Sequence, residues 1–210
     1  MTTAPNTPLP ITHLLYLHGF RSSPQSTKAR QVADRVAAWN TAQPGPAPPR
    51  VTWSCPQLPP SPRKAMAFIE QHIADWPGDT TAVIGSSLGG FYATWVAEHT
   101  ACKAVLLNPA VDPARDLAKH LGVQTSWHDP LDTFVVHAGH LDELRALECP
   151  ALTHPAQYFC VIAQGDEVLD WREMSARYAD TLIKLLPGSD HGLSDFDDHI
   201  DEVFGFLGLP

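Results

Sequence analysis

Six short apolar runs recur along the chain: ITHLLYLH (11–18), VTWSC (51–55), TAVIG (81–85), KAVLLNP (103–109), YFCVIAQ (158–164) and TLIKLLP (181–187). Most are continuous rather than alternating, the pattern of strands buried on both faces. Between them apolar residues return at helical spacing. Ala29, Val32, Ala33, Val36 and Ala37 share one face of a predicted helix over 27–39, which Ser26 can cap. Met66, Ile69, Ile73 and Trp76 share a face of a second helix, opened by Ser61 as N-cap and Pro62 at the first helical position. Further helices are predicted over 88–99, 112–121, 171–179 and 196–207. Strands alternating with helices predict an α/β fold of about six mostly parallel strands, with helices on both faces.

Two stretches interrupt the alternation. Residues 43–62 hold eight prolines around VTWSC and read as a rigid surface excursion carrying one short strand. Residues 122–155 show two or three weak helical patches and no convincing strand. A segment of that length inside a compact α/β chain is expected to cover a site. The expectation is one α/β domain over 1–210 with a small helical cap inserted at about 122–155.

Composition narrows the function classes. A chain of 210 residues suits one domain with a substantial core. The net charge is −9 and lysines and arginines form no run, which argues against nucleic acid or an anionic membrane as partner. No apolar stretch approaches a membrane span, and the opening MTTAPNTPLP lacks the basic and apolar regions of a secretory signal. The four cysteines, Cys55, Cys102, Cys149 and Cys160, form no CxxC pair. A cytoplasmic monomer is the expectation.

Chemistry enters at VIGSSLGG (83–90). Gly85-Ser86-Ser87-Leu88-Gly89 matches G-x-S-x-G with Ser87 at the centre, at the junction of a predicted strand and a predicted helix. A nucleophile elbow needs such a junction, because the sharp turn lifts the serine hydroxyl above the sheet. The Leu88 N–H, at the helix start, would then face a developing oxyanion. A serine nucleophile needs a base, and the base needs an orienting acid, in the order Ser…Asp/Glu…His for this architecture. Asp166 follows the fifth strand directly and is preferred over Glu167, Asp170 and Asp190. His191 lies in the loop after the sixth strand and is preferred over His199, which falls within the last helix. The loop LHGFRSSP (17–24) can supply the second oxyanion donor from the N–H of Phe20 or Arg21. His18 can stabilise that loop or simply cap the strand.

The blocks YLHGFRSSPQSTKA (16–29), GSSLGGFYATWVAE (85–98), LLNPAVDP (106–113), QGDEVLDWR (164–172) and GSDHGLSDF (188–196) together resemble the YqiA-like esterases of the α/β-hydrolase superfamily. The resemblance implies hydrolysis of carboxylic esters, of short acyl chains, with no cofactor and a small-molecule ester as the only partner. The family's serine, acid and histidine correspond to Ser87, Asp166 and His191. Relative to the superfamily's usual eight strands the first two are missing, so the expected sheet order is 2-1-3-4-5-6 with VTWSC at an edge.

The substrate pocket is expected to draw on Phe20, Arg21 and Leu88 and, from the cap, on Trp127 and Phe134, although the last two can equally be core aromatics. A thioesterase would use the same three residues and differ only in the leaving group. A non-catalytic binding protein on the same scaffold would not need all three. His137 and His140, with His120, His128 and His154 nearby, have spacings able to ligate zinc, but no cysteine or carboxylate pattern completes a site. No metal is therefore assigned.

Overall fold

A computed structural model describes residues 9–42 and 50–209; of the proline-rich stretch, 43–49 lie outside the described residues, as do the first eight residues of the chain. In chain order the elements are β1 (His13–Leu17), α1 (Thr27–Ala42), β2 (Thr52–Ser54), α2 (Pro62–Ile73), β3 (Thr81–Ser86), α3 (Leu88–Thr100), β4 (Lys103–Leu107), α4 (Pro113–Leu117), β5 (Gly122–Thr125), β6 (Thr133–Val136), α5 (Ala138–Arg145), β7 (Tyr158–Ala163), α6 (Trp171–Arg177), β8 (Leu182–Leu186) and α7 (Ile200–Leu207). All six apolar runs are strands of one sheet, ordered β2-β1-β3-β4-β7-β8. Every neighbouring pair in it is parallel, so the order expected from the sequence is the order found.

The continuous apolar runs are explained by two cores, one on each face of the sheet. Leu15 and Leu17 point into a core with Met66, Ile69, Phe91 and Val96, whereas Leu14 and Tyr16 point into the other with Val32, Val36, Val203 and Phe204. β3 is buried at all six positions. β2, three residues long and half-exposed, forms one edge, where few of its ladder groups must be satisfied.

Helix starts follow the local chemistry. Ser61 caps α2 by accepting from Lys64 N at 3.2 Å, with Pro62 behind it, and Asp112 caps α4 from Arg115 N at 3.0 Å. The predicted helix over 112–121 tightens after Leu117 into a 3₁₀ turn over Ala118–His120.

The segment 122–155 differs from the expected helical cap. It begins with an antiparallel hairpin, β5 paired with β6, and continues into the single helix α5. The strands escape a search for continuous apolar runs because each has four residues and only one covered face. Phe134 and Val136 turn inward while Val135 is exposed and Val123 is 70% exposed. Leu141 and Leu144 of α5 join the core beneath, packing toward α2 and α4. The Glu143 carboxylate accepts from Ser61 Oγ at 2.8 Å and Arg63 N at 3.1 Å, placing a negative charge at the N-terminus of α2.

Two close contacts hold the loops above β1 and β3. A Cβ at Gly89 would lie 1.9 Å from the Leu17 carbonyl oxygen, so only glycine allows the start of α3 to rest on the end of β1. His18, buried at the end of β1, accepts from Leu58 N through Nε2 at 3.1 Å, which leaves Nδ1 protonated to meet the Gly19 carbonyl at 3.0 Å. One imidazole thus ties the β1–α1 loop to the segment after β2.

Two outcomes are expected. Gly89→Ala should cost on the order of 3 kcal/mol or more, roughly 6–12 °C in Tm, because backbone must move. Gly205→Ala, where a Cβ would meet nothing within 4 Å on an exposed face of α7, should raise Tm slightly, by about 0.5–1 kcal/mol of stability. Thermal melts of the two variants test this contrast. Burial holds the His18 imidazole below the ordinary histidine range, with the Gly19 carbonyl opposing in part. The unfolded chain therefore takes up a proton that the folded chain resists, so stability falls as the pH drops below about 6.5. His18→Gln should show a shallower loss of Tm between about pH 7 and 5; equal slopes would remove His18 as the cause.

Candidate active site

Ser87 lies between the last residue of β3 and the first of α3, with φ 56° and ψ −120°. Non-glycine residues seldom adopt such angles, and the surroundings impose them. Ser87 N donates to Leu107 O at 3.0 Å, and Ser87 O accepts from Ala110 N at 3.0 Å and Gly90 N at 2.8 Å. Both backbone groups of the serine are therefore spoken for by the end of β4 and the first turn of α3, and its hydroxyl projects from the end of the sheet.

That hydroxyl meets His191. Ser87 Oγ is 3.1 Å from His191 Nε2, and His191 Nδ1 is 2.8 Å from Asp166 Oδ2. The Asp166 side chain has no exposed surface and His191 keeps 22%. The other carboxylate oxygen, Oδ1, accepts from Val168 N and Leu169 N, both at 2.8 Å. Two backbone donors thus fix the carboxylate, which in turn fixes the ring. The three residues are separated by as many as 104 positions in sequence. The rival acids have other occupations. Glu167 accepts from His191 N at 3.0 Å, Asp170 caps α6 through Arg172 N at 2.9 Å, and Asp190 accepts from Ser194 N at 2.8 Å. His199 sits by Asp195, 3.4 Å away.

The loops that carry Asp166 and His191 approach so closely that a Cβ at Gly165 would lie 2.2 Å from Ser189 O. Asn108 holds the second of them, a role the sequence reading missed. Fully buried at the end of β4, with φ 43°, it donates from Nδ2 to Asp190 O at 3.0 Å and His191 O at 3.2 Å. Its Oδ1 accepts from Ala163 N at 2.8 Å, at the end of β7. One side chain therefore connects the ends of β4 and β7 to the histidine loop. An asparagine closing an apolar strand is a visible signal, since it tolerates positive φ and satisfies backbone groups on both sides. Its partners, more than fifty positions away, are not.

The expected oxyanion donors lie on the two sides of the serine. Among the described residues the N–H groups of Phe20, Arg21 and Leu88 have no intramolecular acceptor. The Gly19 backbone comes close enough that a Cβ there would be 3.2 Å from Ser87 Cβ. The Arg21 backbone has φ 61°. Its side chain faces the hairpin: Nε donates to Thr125 O at 2.6 Å and the guanidinium lies 4.0 Å from the Trp127 ring centre. Trp127 is 68% exposed and so is no core aromatic, while Phe134 meets Phe20 edge-on at 5.7 Å.

Two cavities flank this loop. One, of about 270 Å³, is walled by Phe20, Leu58, Leu88, Tyr92 and Phe134, with Arg21 and Asp132 among its polar members. The other, of about 220 Å³, contains Ser87 and His191 and reaches Tyr16, Lys28 and Trp127. Lys28 donates to Gly192 O, and burial lowers its ammonium to about 8 against the opposing pull of Asp190 and Asp166. Cysteine nucleophiles are disfavoured by burial, which pushes the thiols of Cys160 and Cys55 up to about 12 and that of Cys102 to about 11. Of the histidines considered for zinc, His137 and His140 face each other at the start of α5, ring centres 5.2 Å apart.

Solved structures show the same fold at low identity. A protein of Agrobacterium vitis S4 matches with TM-score 0.70 at 16% identity, over 94% of this chain and 88% of that one. One of two metagenome-derived lipolytic enzymes matches with TM-score 0.64 at 17% identity, over 94% of both chains. Mouse alpha/beta hydrolase domain-containing protein 10 matches with TM-score 0.61 at 15% identity, over 91% and 90%. The chain shares the α/β fold of these structures, and among its described residues no helix is long and apolar enough to cross a membrane. A family model matches residues 13–208, from the start of β1 to just beyond α7: the chain belongs to the uncharacterised protein family UPF0227.

Proposed function

We propose that the chain is a serine esterase that cleaves carboxylic esters of short acyl chains through Ser87, His191 and Asp166. The observation that carries this reading is the hydrogen-bonded row from Ser87 Oγ through His191 to a fully buried Asp166, with the serine at a strained strand-to-helix turn. His191 Nε2 takes the hydroxyl proton as Oγ attacks the ester carbonyl carbon. The carbonyl oxygen becomes an oxyanion, received by the N–H groups of Leu88 and Phe20, which have no other acceptor among the described residues. Collapse of the tetrahedral species breaks the bond to the alcohol oxygen, and the imidazolium returns its proton to that oxygen. Water, deprotonated by His191, then attacks the acyl-enzyme, releasing the acid and restoring the serine. Asp166 keeps the Nδ1 proton in place and steadies the imidazolium.

The acyl portion is assigned to the 270 Å³ cavity. Its Leu88 carries an oxyanion donor and its Phe20, Leu58, Tyr92 and Phe134 offer apolar surface to a short chain. Under this reading residues 122–155 act as a cap that supplies Phe134 to the acyl wall.

Ser87→Ala should lower kcat by roughly 10⁴-fold or more on p-nitrophenyl butyrate without a change in Tm, and should abolish labelling by a small fluorophosphonate. Asp166→Asn should lose roughly 10³–10⁴-fold through the wrong histidine tautomer. Normal labelling of Ser87→Ala, or a greater loss from Asp190→Asn than from Asp166→Asn, would overturn the assignment. Turnover of matched oxygen and thio esters separates the esterase from a thioesterase with the same row of residues.

Phe134→Ala should change relative kcat/KM across an acyl-length series by about 1–3 kcal/mol while fluorophosphonate labelling persists. A uniform loss on all esters together with a lower Tm would make Phe134 a packing residue only.

A further inference from the structure

The mechanism decides which cavity receives the alcohol. His191 must return its proton to the leaving oxygen, so the alcohol lies against Nε2, and the 220 Å³ cavity is the one that contains His191 and Ser87. Phe20 and Trp127 supply its aromatic surface, and Ser26, Ser86 and Lys28 bring hydrogen-bonding heads. Tyr16 lies on its inner side. This tyrosine is 1% exposed, and its hydroxyl lies beside those of Ser26 and Ser86 without a well-formed hydrogen bond to either. A buried hydroxyl left without a partner is costly, and such groups collect where a ligand is expected to complete them. The Lys28 ammonium spends one of its three N–H groups on Gly192 O.

The charge of the cavity selects among polar ligands. Lys28 is the lysine of its lining, and the Asp190 and Asp166 carboxylates lie close enough to act on that ammonium by charge. A carboxylate or phosphate would have to settle near two carboxylates with one ammonium already shared between them. A neutral hydroxyl has no such difficulty, since it both accepts from Lys28 and the serines and donates to a serine oxygen. The aromatic rings in the same lining suit the C–H faces of such a molecule.

We infer that this cavity is the leaving-group subsite and takes a small neutral polyhydroxy alcohol, so that the substrates are short-chain acyl esters of such alcohols. The inference rests on the esterase reading above and adds the class of alcohol to it.

The test compares glyceryl 1-butyrate with propyl butyrate, which share the acid and the three-carbon chain and differ by two hydroxyls. Wild-type enzyme should favour the glyceryl ester by about tenfold in kcat/KM, the worth of one or two net hydrogen bonds. Tyr16→Phe and Lys28→Met should each bring that ratio toward one. Tyr16→Phe should melt within a degree or two of wild type, because the deleted hydroxyl makes no well-formed hydrogen bond, which separates loss of selectivity from loss of fold. Equal kcat/KM for the two esters in wild-type enzyme would overturn the subsite and leave the esterase standing. Preference for glyceryl 1-butyrate 3-phosphate over the neutral ester would overturn the neutral alcohol. Failure to cleave any of the three esters, with Ser87 unlabelled by fluorophosphonate, would overturn the esterase reading and this inference together.

Discussion

The backbone of Ser87 is the constraint from which the remaining geometry follows. Its positive φ is sustained by hydrogen bonds to Leu107 and Ala110 on one side and to Gly90 on the other, so the serine is fixed by the end of β4 and by the first turn of α3. That turn can reach β4 and β1 only because the helix start lies directly on the end of β1, with Gly89 against the Leu17 carbonyl. Strain of order 1–3 kcal/mol at one residue is held by packing that involves three strands and a helix. Among the described residues, five of the six non-glycine residues with positive φ, namely Arg21, Ser87, Asn108, Ser189 and Leu193, lie in loops around this point. The sixth, Ala101, ends α3. Strain is concentrated at the ends of the parallel strands, where the candidate chemistry is.

Around the serine, the polar groups are arranged in depth. Asp166 accepts two backbone N–H groups and one imidazole N–H, so its buried charge is offset by three donors. Glu167 holds the backbone of His191, and Asn108 and Lys28 hold the carbonyls of residues 190–192. The histidine loop therefore has contacts from α1, β4 and the loop after β7, and its position does not depend on its own short sequence. The exposed ion pairs, such as Arg35–Asp201 and Arg145–Asp142, contribute little by comparison.

The six strands and the candidates Ser87, Asp166 and His191 were legible because each leaves a local mark: a continuous apolar run, a glycine-framed serine, an acid or histidine directly after a strand; the order of the strands came from the resemblance to the superfamily. What was not legible has the opposite character. The β5–β6 hairpin has four-residue strands with one wet face, so its pattern is too short for either periodicity to register. Trp127 looked as if it could belong to a core, yet it stacks on Arg21 in solvent, a contact between positions 106 residues apart that no local pattern encodes. Nothing local marks Lys28 within its helix, because its bond to Gly192 spans 164 positions. His18 was left between two roles, and only the Leu58 N–H, forty positions away, decides for the loop.

Asn108 has a consequence for how this scaffold can change over generations. Its side chain binds the histidine loop to the ends of β4 and β7, and the hairpin and α5 are inserted between those same two strands. The insertion can lengthen, shorten or swap residues while the asparagine keeps the strand ends and the loop in register. Substrate walls and the Ser87–His191–Asp166 row thus rest on separable parts of the chain, while the hairpin stays tied to the β1–α1 loop through Arg21.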